Sequence, residues 1–218
     1  MRIDRRATLG LLAAAPLFPG AARARPVAPG SRSAIVIGAG IVGAAIAYEL
    51  AKRGVAVTLL EKSKPAAGAT GDSFAYLNAS TKTGSRPYFQ LNWLGMAGWR
   101  IWQREPGAAL PLQWGGATYW RDSEAESAKL GEGLRIAQQW GYAGRRLDAP
   151  GLQALLPGLA IGPVSVAAFF PEEGAVDPAG AVAALLERAG RLGAKLRAPV
   201  AVHSLIVREG KVVGVRTA

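Results

Sequence analysis

The sequence predicts an α/β protein built around a parallel sheet, and three features of residues 34–61 indicate this fold class. An apolar, β-branched run at residues 34–37 precedes a turn with three glycines, from Gly38 to Gly43. A helix-like stretch follows the turn, and a second apolar run then leads directly into Glu61. Strand, glycine turn, helix, strand and acid stand in the order and spacing of a dinucleotide-binding βαβ unit.

The glycines of this turn match what a bound pyrophosphate requires. Gly38 allows the tight turn, Gly40 lets the backbone approach the phosphates, and Gly43 lets the helix pack closely on the sheet. The amides and the dipole of the helix N-terminus favour an anion there. Glu61 follows at about the 20-residue spacing at which an acid binds a ribose diol. The predicted cofactor contacts are therefore Gly38, Ala39, Gly40, Ile41, Val42, Gly43 and Glu61.

The composition is that of a globular protein and excludes several kinds of site. Half of the 218 residues are hydrophobic and 19% are charged. The formal net charge is +11, but no basic stripe interleaves with aromatic residues, so no nucleic-acid partner is predicted. The chain has no cysteine, which excludes disulfides, cysteine–metal sites and cysteine nucleophiles within it. No carboxylate cluster has the spacing of metal ligands, so no metal site is predicted.

Residues 1–24 have the pattern of an export signal. Arg5-Arg6 precede an apolar run that is too short to span a bilayer as a helix, and Ala22 to Ala24 form a small-x-small cleavage pattern. The arginine pair resembles a twin-arginine signal, the bacterial route for folded proteins. We therefore expect export to the bacterial periplasm, with no transmembrane helix after signal removal. An ordinary secretory signal and an uncleaved N-terminal anchor remain open.

After Glu61, the chain alternates between helices and short strands. Residues 87–105 carry apolar positions at helical spacing, which predicts a helix whose apolar face packs in the core. Strand pieces are predicted at about 112–120 and 164–170, with helices at about 122–140 and 149–156 between them. The apolar positions of the first helix are Leu91, Leu94, Met96, Trp99, Ile101 and Trp102.

The last third of the chain carries clear capping and turn signals. Asp177 and Pro178 predict the start of a helix that runs to about Leu192 and closes at a glycine. Residues 200–208 and 211–217 predict a hairpin. His203, the only histidine, stands in the first of these strands; a structural or solvent-facing role is favoured over that of a catalytic base. The adjacent Glu172 and Glu173 have the pattern of a solvated loop.

A loop of small residues, 63–73, can cradle a phosphate or a flat ring with its backbone amides. The segment that follows, residues 74–79, is consistent with either a short buried strand or a cofactor contact.

Three segments together resemble the amino-terminal half of the D-amino acid oxidase, glycine oxidase and sarcosine oxidase superfamily of FAD-dependent oxidoreductases. They are the βαβ segment through Lys62, the loop at 68–76, and residues 170–178 with the helix and strand that follow. The resemblance implies FAD as the cofactor, with the pyrophosphate on the glycine turn and the ribose on Glu61. It adds contacts from Lys62, Gly68, Ala69, Thr70 and, through its backbone at the adenine, Val202.

The resemblance also implies an architecture and a reaction. Residues 33–80 and 175–218 would form a discontinuous Rossmann-like FAD-binding domain, and residues 81–174 an inserted, partial α+β substrate domain. The implied reaction is oxidation of a C–N bond in a small amine or amino acid by hydride transfer to the flavin. Members of the superfamily are usually much longer, so the chain is expected to be truncated, and no catalytic residue is assigned. An NAD(P)-dependent dehydrogenase and a non-catalytic nucleotide-binding fragment stay open as alternatives.

Overall fold

The computed structural model describes residues 32–218, so the predicted export signal, residues 1–24, lies outside the described residues. In chain order the elements are β1 Ser33–Ile37, α1 Ile41–Lys52, β2 Ala56–Leu60, β3 Tyr76–Leu77, a 3₁₀ turn Ser80–Lys82, α2 Arg86–Arg104, β4 Leu112–Trp114, β5 Ala117–Arg121, α3 Glu124–Gln139, β6 Arg145–Leu147, α4 Ala149–Leu155, β7 Val166–Phe170, β8 Gly174–Val176, α5 Pro178–Arg191, β9 Lys195–Arg197, β10 Val202–Arg208 and β11 Lys211–Thr217.

Strands β1, β2 and β9 form a three-stranded parallel sheet in the order β1-β2-β9, which confirms the predicted α/β class. Helix α1 covers one face of this sheet. Its alanines, such as Ala47, pack against Val36 of β1 and Leu59 of β2, and the small side chains let the helix lie close to the strands. Helix α5 packs beside α1, where Leu185 joins Tyr48 in a second buried cluster.

Three antiparallel sheets complete the described chain: two of three strands, in the orders β3-β8-β4 and β5-β7-β6, and a two-stranded sheet of β10 and β11. Helix α3 packs on β5 and β7, and the core between them contains Phe89, Met96, Tyr142 and Phe170. Because β8 pairs with β3, the segment that follows the predicted cofactor loop is tied to this second part of the molecule.

The predicted capping and turn residues perform their expected roles. The side chain of Asp177 accepts a hydrogen bond from the amide of Ala179 (3.1 Å) at the start of α5. Strands β10 and β11 form the predicted antiparallel hairpin. Glu209 and Gly210, in its turn, both have positive φ angles, 49° and 72°, as a two-residue turn that matches strand twist requires.

Two sequence-based expectations are wrong. Helix α2 does not bury its whole apolar face: Leu91, Leu94 and Ile101 are 67%, 70% and 59% exposed, because the helix turns Phe89 and Met96 toward the core instead. Helical spacing identifies an apolar face, but it does not say whether another element covers it.

Glu173 is not part of a solvated loop. Its side chain is completely buried and accepts hydrogen bonds from the amides of Ala79 (3.0 Å) and Ser80 (2.8 Å) and the hydroxyls of Tyr119 (3.2 Å) and Tyr142 (3.1 Å). Strand β8 begins at the next residue, which places this carboxylate inside the core. Burial and the nearby carboxylate raise the pKa of both tyrosines.

None of the helices in residues 32–218 is both long and apolar enough to cross a bilayer. The same residues contain no group of His, Asp or Glu side chains that could hold a metal ion.

Candidate dinucleotide-binding site

The glycine turn joins β1 to α1 in a conformation that only glycine residues allow. Gly38 has a φ of +97°, and its amide donates to the carbonyl of Leu60 at 2.8 Å, which fixes the turn at the carboxyl end of the sheet. A Cβ on Gly43 would lie well under 3.0 Å from the carbonyl oxygen of Gly38. Helix α1 therefore begins directly against the end of β1, as the motif predicts.

The first turn of α1 presents unpaired amides. Within residues 32–218, the amide nitrogens of Gly40, Val42 and Gly43 have no hydrogen-bond acceptor. The amide of Ile41 donates to the side-chain oxygen of Thr70 at 3.0 Å. No acidic residue lies in the first turn of α1, so no negative side chain there neutralises the positive end of the helix dipole. This arrangement fits a phosphate or pyrophosphate group.

Glu61 closes the other side of the turn. Its carboxylate is 9% exposed and accepts hydrogen bonds from the amides of Ala39 and Ser63, each at 2.8 Å. The bond from Ala39 is the main reason that the pKa of Glu61 lies below its ordinary value, although burial opposes it. The hydroxyl of Ser63 adds a third, longer bond at 3.3 Å. A carboxylate has about four acceptor positions, so these bonds leave about one for a hydroxyl group of a ribose.

The loop of small residues folds over the glycine turn. The amide of Ala66 donates to the carbonyl of Ala39 at 3.0 Å, while Thr70 caps α1. A Cβ on Gly40 would lie 3.0 Å from the Thr70 hydroxyl, so the loop and the turn are in close contact. A group bound at these amides would therefore lie beside the Thr70 side chain as well as the turn.

The structure brings most of the predicted cofactor residues together, but not all of them. The turn, Glu61 and Thr70 form one continuous site, whereas Lys62, Gly68 and Ala69 lie exposed beside it. Val202 begins β10, where it pairs with Thr217. The amide of Val200 donates to the carbonyl of Glu61 at 2.7 Å, which brings this part of the chain close to the acid.

Ser63 is a site residue additional to the sequence-based prediction, and the segment that follows the loop is only partly a strand. The amide and the hydroxyl of Ser63 donate hydrogen bonds to the second carboxylate oxygen of Glu61. A serine two residues after an acid is the sequence signal that could have indicated this contact. Phe74 and Tyr76 stack on each other with ring centres 5.3 Å apart and are 86% and 48% exposed. Phe74 is therefore not part of a buried strand, and the strand itself covers only Tyr76 and Leu77.

Comparison with known proteins agrees with this geometry. The chain is 37% identical over 146 residues to the tRNA 5-methylaminomethyl-2-thiouridine biosynthesis bifunctional protein MnmC of Chromohalobacter salexigens, covering 60% of this chain and 20% of that protein. It is 29% identical over 186 residues to the 4-methylaminobutanoate oxidase (formaldehyde-forming) of Paenarthrobacter nicotinovorans, covering 84% of this chain and 22% of that protein.

Solved structures share the fold. The L-proline dehydrogenase of P. horikoshii superposes with a TM-score of 0.76 at 26% identity, over 86% of this chain and 49% of that one. The glycine oxidase of Bacillus cereus gives 0.77 at 23% identity, over 86% of this chain and 51% of that one. The chain therefore spans about half the length of these solved relatives and about a fifth of the curated ones. Residues 33–218 match the family described as FAD dependent oxidoreductase (DAO), and the chain belongs to this family, whose cofactor is FAD.

Proposed function

We propose that this chain is the FAD-binding part of an oxidoreductase that oxidises a C–N bond of a small amine or amino acid. The observation that best supports this proposal is the set of unpaired amides at the start of α1, beside the Glu61 carboxylate. These amides belong to Gly40, Val42 and Gly43. The printed names of similar proteins, which include an L-proline dehydrogenase, a glycine oxidase and a 4-methylaminobutanoate oxidase, support the substrate class.

Each residue of the site has a distinct role in this proposal. The free amides of α1 hold the pyrophosphate, and the helix dipole supports its negative charge. Glu61 accepts hydrogen bonds from the adenosine ribose, while its bond to the amide of Ala39 keeps the glycine turn in place. The loop of residues 63–73 contacts the turn through Ala66 and Thr70 and would flank one side of the phosphates.

When bound, FAD would supply the redox chemistry of this proposal, which is removal of a hydride from the carbon next to the substrate nitrogen. The substrate loses two electrons and two protons in total, and the resulting imine is hydrolysed by water. No described residue is assigned as the acid or base of this step. The role of the chain is to bind and orient the cofactor.

Anaerobic reduction tests the proposed function. The chain is loaded with FAD, desalted, and mixed without oxygen with glycine, L-proline or 4-methylaminobutanoate, and the visible flavin absorbance is followed. We expect at least one substrate to bleach the flavin. A flavin that only dithionite bleaches would indicate a nucleotide-binding part without catalysis. In a separate loading with equal FAD and NAD, retention of NAD in place of FAD would indicate the dehydrogenase alternative.

We also propose that the protein is exported to the bacterial periplasm through its twin-arginine-type signal. The proposal rests on Arg5 and Arg6 ahead of a short apolar run and on the small-residue pattern at Ala22 to Ala24. Replacement of both arginines by lysine should keep the protein in the cytoplasm of a bacterial host. Equal periplasmic yield from the double variant would contradict this route.

A further inference from the structure

A cavity lies between the 3₁₀ turn at Ser80–Lys82, strand β5 and helix α3. Its volume is about 210 Å³, and none of the predicted cofactor residues lines it. This volume is below the roughly 300–1,000 Å³ of sites for drug-sized ligands and far above the roughly 30 Å³ of one water molecule. The cavity therefore suits a small organic molecule.

The buried end of the cavity offers hydrogen-bond acceptors. Ser80 is 7% exposed, and its side-chain oxygen has no hydrogen-bond partner among residues 32–218, although the phenol of Tyr119 lies beside it. Tyr119 donates its only hydroxyl proton to Glu173 at 3.2 Å, so toward the cavity its oxygen can only accept. A donor at this end of the cavity therefore has two oxygens to bind.

Glu173 fixes both of these groups and sets the electrostatic potential at the buried end. Its carboxylate accepts a hydrogen bond from the amide of Ser80 at 2.8 Å as well as the bond from Tyr119. The carboxylate accepts four hydrogen bonds in all, but no lysine or arginine of the described residues forms a salt bridge with it. Its negative charge is therefore uncompensated and favours a positive group nearby.

The open end of the cavity carries basic side chains. Arg121 lies two residues after Tyr119 on β5, so both side chains point to the same face of the sheet. Lys129 of α3 also lines the cavity, but it donates a hydrogen bond to Glu126 at 2.6 Å. Glu126 lies 3.8 Å from Arg121, which is too far for a hydrogen bond. The Arg121 guanidinium therefore keeps donors for a carboxylate.

We propose that this cavity binds a small amino acid as a zwitterion, with the ammonium group at Ser80 and Tyr119 and the carboxylate at Arg121. The buried end supplies acceptors beside an anion, and the open end supplies a cation with available donors. Leu134 and Phe170 also line the cavity and would contact the carbon atoms of the ligand. A ligand with a single charge would satisfy only one of the two ends.

Titration with L-alanine tests the proposal, followed through the backbone amide signals of the isotope-labelled chain in two-dimensional NMR. Propionate lacks the ammonium group and ethylamine lacks the carboxylate, so both serve as matched probes at constant ionic strength. We expect saturation by L-alanine at millimolar concentration, with the largest shifts at Ser80 and Gly133, and at least tenfold weaker binding of either analogue. No saturation, or equal binding of either analogue, would overturn the proposal.

Two arginine variants locate the binding site. Arg121→Gln removes the cation at the open end, and Arg135→Gln removes an arginine of α3 that does not line the cavity. These side chains are 41% and 54% exposed and both lie in surface ion pairs, so both variants should fold. Arg121→Gln should weaken L-alanine binding at least tenfold, and Arg135→Gln should leave it unchanged. Equal effects of the two variants would overturn the proposal.

Ser80→Ala separates a contact with the ligand from a structural role. The Ser80 hydroxyl has no partner in the described chain, so its removal should not lower Tm in the absence of ligand. L-Alanine affinity should fall about tenfold or more, because a hydrogen bond to a charged group is lost. Unchanged affinity, or a Tm that falls together with the affinity, would overturn the proposal. FAD is absent throughout, so such a result would leave the proposed function in place.

Discussion

Replacement of Gly43 by alanine perturbs the candidate site with the addition of one methyl group. The new Cβ would lie well under 3.0 Å from the carbonyl oxygen of Gly38 and 3.0 Å from its carbonyl carbon. Both atoms belong to the backbone of the glycine turn, so no side chain can rotate out of the way. Helix α1 must therefore move away from β1, and its amides move with it.

The size of the effect follows from two opposing terms. Overpacking of this kind costs about 1–3 kcal/mol, and contact with rigid backbone favours the upper end of that range. Alanine gains about 0.5–1 kcal/mol over glycine within a helix. The net loss in the free energy of unfolding is therefore about 2 kcal/mol. For a chain of this length, about 2–4 °C are lost per kcal/mol, so Tm should fall by about 4–8 °C.

Thermal unfolding by circular dichroism measures this change, with Gly131→Ala as the matched control. Gly131 lies within α3, and a Cβ there would meet no atom within 4 Å. The same substitution should therefore raise Tm by about 1–4 °C, since only the helix term remains. FAD affinity, measured in parallel, should fall about tenfold or more for Gly43→Ala, as displacement of an amide loses a charge-assisted hydrogen bond. A Gly43→Ala variant as stable as the unmodified chain would refute the reasoning.

Three further predictions concern buried polar groups. The hydrogen bond from the amide of Ala39 lowers the pKa of Glu61, so the ionised Glu61 carboxylate stabilises the fold above about pH 4.5, and this stabilisation is lost as the pH falls through the folded pKa. In urea unfolding at a series of pH values, Glu61→Gln should therefore make the free energy of unfolding less dependent on pH in the acid range. A pH profile identical to that of the unmodified chain would contradict this prediction. Glu173→Ala should reduce the free energy of unfolding by about 3 kcal/mol or more, because four donors inside the molecule lose their acceptor. Glu173→Gln keeps an acceptor oxygen and should reduce the free energy of unfolding by less. Equal stability of the two variants would contradict this prediction. Burial raises the pKa of Tyr119 and Tyr142, and also that of Tyr48. An absorbance titration of the folded chain should therefore leave at least two tyrosines unionised at about pH 11, and full ionisation there would contradict it.

The βαβ unit could be predicted because its signals are local. Each signal is read from residues that are adjacent in sequence. The signals are the apolar runs of β1 and β2, the glycines between them and the acid that follows the second strand. The caps of α5 were predictable for the same reason, since Asp177 binds an amide two residues away. The parallel arrangement of the strands then follows from the helical crossover between them.

The surroundings of Glu173 could not be predicted, because its partners are distant in sequence. Its donors come from Ala79 and Ser80, more than ninety residues earlier in the chain, and from two tyrosines on separate segments. An adjacent pair of acids has no local pattern that distinguishes such a site from a solvated loop. The exposed face of α2 shows the same limit, since the sequence identifies an apolar surface but not the element that covers it.

In the proposed function, the start of α1 and Glu61 bind the adenosine diphosphate portion of FAD. The most direct test is a titration of the purified chain with FAD, followed by flavin fluorescence, with ADP as the competitor and circular dichroism to show that the chain is folded. We expect saturable binding of one FAD per chain, displaced by ADP and weakened in Gly43→Ala. A folded chain that binds neither FAD nor ADP would contradict it.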